Sequence, residues 1–208
     1  AENSAFGSGA LVNNTTGSYN VGLGRYALAL NTTASYNTSV GYQALYANTT
    51  GNGLASLGFQ ALYANTTGSN NNAVGYKTLY SNTTGGSNTA VGDRALQANT
   101  TASSNTAVGY QAGLNTTTGT GNLLLGSAAG LTNTTGYQNV YLGENAGYSS
   151  TGFDNTFVGG GAGYSSTGAG NTFLGRTAGQ NMISGSKNTI IGRYNGNQGG
   201  LDIRTSSN

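Results

Sequence analysis

Residues 105–112 read NTAVGYQA, and the phrase recurs: residues 88–92 repeat NTAVG, and residues 60–67 supply its continuation, QALYANTT. Anchoring on the Gly that closes each N-x-x-apolar-G gives Gly7, Gly24, Gly41, Gly58, Gly75, Gly92, Gly109, Gly126, Gly143, Gly159, Gly175 and Gly192. The first nine stand 17 residues apart, and the last three steps are 16, 16 and 17. A phrase held in register over twelve units means that each repeat is one structural unit stacked on its neighbours. The expected fold is therefore all-β, a parallel β-solenoid (β-roll) of about twelve coils of 16–17 residues.

Composition points the same way. The 208 residues include 37 Gly and no Pro, Cys, His or Trp, and only 6% are charged. Average chains carry about 25% charged residues, and this one has too little bulky apolar material for a thick globular core. Stacked coils that bury small side chains against backbone suit it. Disorder is the competing reading of so much Gly, Ser and Asn, and the strict register and scarcity of charge argue against it. A net charge of +2 spread along the chain makes no phosphate-tracking surface, so nucleic acid is not an expected partner. No run approaches 18 apolar residues, so no membrane insertion is expected. The opening AENSAFG is already in register with Gly7, as expected of a processed chain or a piece of a longer one.

Each column of the stacked repeats can be assigned a physical role. The residue before the anchor Gly is apolar in all twelve units, and the column is read as core, with Val40, Val74, Val91, Val108, Leu125 and Leu142 as its central members. Three after the Gly, Ala recurs in ten of twelve units, Ala112 and Ala129 among them, which leaves room there for little beyond a methyl group. The anchors, such as Gly41, Gly75, Gly92 and Gly109, are read as turns at positive φ or as close backbone approaches. Four before the anchor, eleven of twelve residues are Asn, including Asn37, Asn71, Asn88, Asn105 and Asn122, with Leu54 the exception. Amides at one corner of every coil can bond to the coils above and below as a ladder. The recurrent NTT, as at 48–50, 65–67 and 82–84, is read as strand, with Asn and the second Thr on one side and the first Thr on the other. These triplets are also N-x-T sequons, with the ladder preferred over a glycan.

Tyr occurs 14 times and recurs one or five residues after the anchor. The plain reading is an aromatic ladder; the sharper one makes Tyr46, Tyr63 and Tyr80 candidates for glycan contact, since amphipathic rings beside amides suit sugars. The chain also divides. Four after the anchor, the first six units carry Leu11, Leu28, Leu45, Leu62, Leu79 and Leu96, and the later ones Gly113, Gly130, Gly147, Gly163, Gly179 and Gly196. Two before the anchor, Ala73, Ala90 and Ala107 give way to Leu124, Tyr141, Phe157, Phe173 and Ile190, which returns the lost bulk. This predicts a Leu-type core over 1–112, a Gly/aromatic-type core over 113–194, and an exit segment over 195–208.

No catalytic constellation can be assembled. The carboxylates are Glu2, Asp93, Glu144, Asp154 and Asp202, spread over different units and columns, so neither an enzyme nor a cofactor or metal site is expected.

The phrase NTAVGYQA resembles the [S/N]-x-A-[I/V/L]-G-x-x-A repeat of trimeric autotransporter adhesin heads, and the longer ALYANTTG phrase is similar to tail-fibre repeats of marine bacteriophages. The resemblance covers residues 3–208, although the period of 17 is longer than the coil of the adhesin heads. It implies a left-handed β-roll in a homotrimeric fibre, outside the cell or on a virion surface. The expected role is a fibre shaft or receptor-contacting part, with other copies of the chain as partners, also end to end, and host surface polysaccharide as a candidate ligand. A self-assembling extracellular filament without a receptor is the first alternative. An ice-binding solenoid is the second, although adjacent Thr residues in NTT would fall on opposite faces.

Overall fold

The structure, a computed structural model, describes residues 2–195 together with the paired strands Asn197–Gln198 and Leu201–Asp202. Within the exit segment, Gly196, Gly199, Gly200 and residues 203–208 lie outside the described residues. The fold is all-β. Twelve three-residue strands, from β1 (Ser4–Phe6) to β12 (Thr189–Ile191), lie in one sheet in chain order, each parallel to the next. In β5 (Asn72–Val74), β6 (Thr89–Val91) and β7 (Thr106–Val108), Ala73 sits beside Ala90 and Ala90 beside Ala107. The sequence period and the sheet register are thus one quantity, and each repeat forms one coil of a β-solenoid. At about 4.8 Å per strand, twelve coils extend about 55 Å.

The strands stay short because corners enclose them. Each coil after the first reaches its strand through a residue with φ near +60°, such as Asn70, Ser87 or Ser104, and leaves through the anchor Gly. The anchor is required twice over: Gly92 has φ +131°, and a Cβ there would lie 2.7 Å from the carbonyl carbon of Gly109 in the next coil. The chain then turns at two further positive-φ positions, two and four after the anchor, as at Gln60 and Leu62. Hydrogen bonds between coils continue through these turns, for example Leu45 N to Ala61 O at 2.9 Å and Thr49 N to Thr66 O at 3.0 Å. Among the described residues, therefore, no coil leaves its backbone unpaired over more than a few residues, and the stacking, not the local sequence, holds the corners in place.

The interior is a thin column. The Ala three after the anchor is fully buried in most coils, including Ala112 and Ala129. Thr78 replaces it once, and its hydroxyl donates to Gly92 O at 2.7 Å, so the extra polar atom is satisfied. Leu28, Leu45, Leu62, Leu79 and Leu96 fill the centre, although Leu at φ 50–56° is a conformation that costs about 1–2 kcal/mol. In the later coils Gly holds that corner without strain, and the strand supplies the bulk. A Cβ on Gly113 would stand 2.6 Å from Leu124 Cδ1, and one on Gly147 would stand 2.6 Å from the ring of Tyr141. Tyr141, Phe157 and Phe173 stack through the core with centroids 5.0 and 4.8 Å apart. The Tyr141 hydroxyl lies 2.7 Å from Ser150 Oγ, and burial pushes its phenol well above the usual tyrosine range.

One expectation is corrected. The apolar residue before the anchor faces outward: Leu57 is 50% exposed, Val74 38%, and Val91, Val108 and Leu142 are also exposed, with Val40 and Leu125 partly so. Alternation along a strand allows only one inward residue out of three, and the structure gives that place to the residue two before the anchor: Ala73, Ala90, Ala107 and Leu124 are buried. The Val and Leu column instead lines the outer face of the sheet from end to end.

Candidate functional site

Two surfaces stand out from the repeating frame, and both depend on buried polar columns that hold the coils in register. Asn71, Asn88, Asn105 and Asn122 are buried, as is Asn37. Each carbonyl oxygen accepts the backbone N–H of the residue one coil on, as in Asn88 N to Asn71 Oδ1 at 2.9 Å, while each amide donates across the coil, as in Asn88 Nδ2 to Ala102 O at 2.9 Å. Leu54 can donate its own N–H to Asn37 Oδ1 but offers no amide to the coil above. A second ladder runs through the Asn of NTT: Asn48, Asn65 and Asn82 pass a bond from Nδ2 to Oδ1 of the preceding coil, 3.1, 3.0 and 2.7 Å long. This segment is a bend in the chain and not the expected strand. Its first Thr spends its hydroxyl on backbone one coil on, as in Thr49 Oγ1 to Thr66 O at 3.1 Å. At Thr116 the second ladder stops: Asn99 Oδ1 and Thr116 Oγ1 are buried without a hydrogen-bond partner.

The first surface is the outer face of the sheet. It presents the Val and Leu column beside a second outward column that includes Thr38, Thr89, Thr106, Thr156 and Thr172. The second surface lies over the corners after the anchor. Tyr46, Tyr63 and Tyr80 are half-buried and stacked on one another, with centroids 5.4 and 5.1 Å apart and planes within 8°. A parallel stack of Tyr42, Phe59 and Tyr76, with both spacings 5.4 Å, stands one residue after the anchor. Between the stacks runs the column two after the anchor, in which Gln60 Nε2 donates to Gln43 Oε1 at 2.9 Å. In the same column, Lys77 Nζ lies 5.5 Å from the Tyr76 ring centre and 5.3 Å from that of Tyr80, so one ammonium bridges both stacks. Arg94 lies 5.8 Å from the Tyr76 ring and pairs with its neighbour Asp93 at 3.5 Å.

The stacking alters what Tyr46, Tyr63 and Tyr80 can do. Rings parallel along the solenoid cover one another's faces, so a ligand meets ring edges and phenolic hydroxyls rather than open π-faces. The partner stack shares this surface with the Gln column and Lys77, and the last two are not evident from the Tyr residues alone. Their signal is the column two after the anchor, where Tyr26, Gln43, Gln60, Lys77, Arg94 and Gln111 follow one another. Among the described residues no group of three or more acidic side chains could hold a metal ion, and no helix is long and apolar enough to cross a membrane. Comparison with protein-family models, curated proteins and solved structures found no match.

Proposed function

We propose that this chain is the rigid shaft or receptor-contacting part of a fibre, outside the cell or on a virion surface, in which three copies pack side by side. The observation that carries this reading is the outward apolar column. A strip of Val and Leu about 55 Å long, on a sheet whose interior is already filled, is the kind of contiguous exposed patch that marks an association surface. The resemblance of NTAVGYQA to adhesin-head and tail-fibre repeats supports the trimer and the surface setting. The role is mechanical: the two Asn ladders and the continuous inter-coil hydrogen bonds stiffen a rod that holds an attachment surface away from its base.

The test is the assembly state of the full chain. Multi-angle light scattering should give trimers that associate lengthwise, and a V74K/V91K/V108K triple variant should give monomers with an unchanged β-type circular dichroism spectrum. The three positions point away from the core, so the substitutions spare the coil. A wild-type chain that stays monomeric at micromolar concentration would overturn the proposal.

A further inference from the structure

We propose that the twin aromatic stack of the third to fifth coils, those anchored by Gly41, Gly58 and Gly75, binds a linear polysaccharide bearing carboxylates, laid along the solenoid axis with its acid groups at Lys77 and Arg94. The inference deepens the attachment role proposed above and rests on it. Three observations carry it. The first is polarity. With their faces covered, the rings leave a grid of hydroxyl groups from Tyr42, Tyr76, Tyr46, Tyr63 and Tyr80, with the Gln43 and Gln60 amides between the two lines. Such a grid can donate to and accept from sugar hydroxyls while offering apolar ring edges to the sugar C–H groups.

The second observation is spacing. The rings repeat once per coil with centroids 5.1–5.4 Å apart, which is close to the advance of one sugar unit in an extended glycan, so successive sugars can meet equivalent groups. The third is charge. Arg25 stands at one end of the stacks, Lys77 between them and Arg94, paired with Asp93, at the other end, so this surface carries an excess of positive charge in a chain that is only 6% charged. A neutral glycan would have no use for this concentration of cations, and an anionic one does. Lys77, held over two rings, presents its ammonium at a fixed place and not at the end of a freely moving chain.

The experiment is titration calorimetry of the full chain with alginate, a linear polyuronate, against polyglutamate as a non-sugar polyanion and dextran as a neutral glycan. Alginate should bind at least tenfold more tightly than either control, and more weakly as salt rises. Y46F/Y63F/Y80F, which keeps the stack and removes three hydroxyls, should lower alginate affinity at least tenfold. K77Q should lower it by a similar factor and flatten the salt dependence. Light scattering on the same samples separates this proposal from the fibre reading. Trimeric rods that do not bind alginate would overturn the proposal alone, and alginate binding by a chain that does not assemble would overturn the fibre reading alone. Equal binding of polyglutamate, unchanged affinity in both variants, or a change of assembly state in the Tyr→Phe variant would also overturn it, the last by making the stack a contact between chains.

Discussion

If the strand bulk and the corner Gly of the later coils compensate for each other, exchanging them within one coil should be far milder than changing either one. Phe157 and Gly163 are the clearest pair. Gly163 has φ +59°, and a Cβ there would stand 2.7 Å from Phe157 Cγ, inside contact distance. G163L alone therefore overpacks the core, at about 1–3 kcal/mol, and places a Leu in a left-handed conformation, at about 1–2 kcal/mol more. F157A alone empties the centre of the Tyr141–Phe157–Phe173 stack, at about 3–5 kcal/mol. The double variant F157A/G163L recreates the Ala-plus-Leu coil that Ala90 and Leu96 already form. The Leu strain remains, together with the loss of ring stacking, so its cost should be about 2–3 kcal/mol instead of the additive 5–10. Urea unfolding followed by circular dichroism measures this directly, and F157A/G163L should unfold at a higher urea concentration than F157A. A double variant as unstable as the sum of the two singles would refute the reciprocal-core argument, because the two side chains would then not share one space.

Three other outcomes follow from the same geometry. N88A removes an amide that donates to Ala102 O and a carbonyl that accepts Asn105 N–H, so a buried donor loses its partner; the expected loss is about 2–4 kcal/mol by urea unfolding. Tyr141 gives the pH dependence. Its folded pKa is raised, so the fold holds the neutral phenol and the unfolded chain gives up the proton first. Its share of stability is therefore fully present below about pH 10 and lost above it, at about 1.4 kcal/mol per pH unit. Y141F should cost about 1–2 kcal/mol near neutrality, through the lost bond to Ser150, and show a shallower alkaline decline. A Y141F decline as steep as that of the parent would place the alkaline sensitivity elsewhere.

The period was legible because parallel stacking in register makes residue i the neighbour of residue i+17, so repetition in sequence is repetition in space. The small Ala column, the anchor glycines and the first Asn ladder follow from the same logic, since a position that recurs in identical surroundings tolerates few residue types. The exchange of Leu for Gly between the first and later coils was readable because one cross-section must be filled by whichever corner supplies the bulk. What could not be read was which of two adjacent strand residues points inward. A three-residue strand has no alternation to count, and the unbroken apolarity of Val74, Val91 and Val108 made an outward column look like core. The inward column was disguised by its own variability: the small Ser39, Ser56 and Ala73 accompany a corner Leu, whereas the large Leu124 and Tyr141 accompany a corner Gly. The NTT segment misled for a related reason, since β-branched Thr suits strands but here sits in a bend whose first Thr bonds its hydroxyl to the next coil. The twin aromatic surface was hidden because Tyr42 and Tyr46 lie four residues apart and share a face only through the positive-φ corners at Gln43 and Leu45.

The central claim is that every repeat adds one coil along a single axis. Pulsed dipolar spectroscopy between nitroxides at L57C and L174C, two outward positions seven coils apart in the fourth and eleventh strands, tests it most directly in samples diluted with unlabelled chain. At about 4.8 Å per coil the account predicts a narrow distance distribution centred near 34 Å. A broad distribution, or a centre well below 25 Å, would contradict the stacked solenoid.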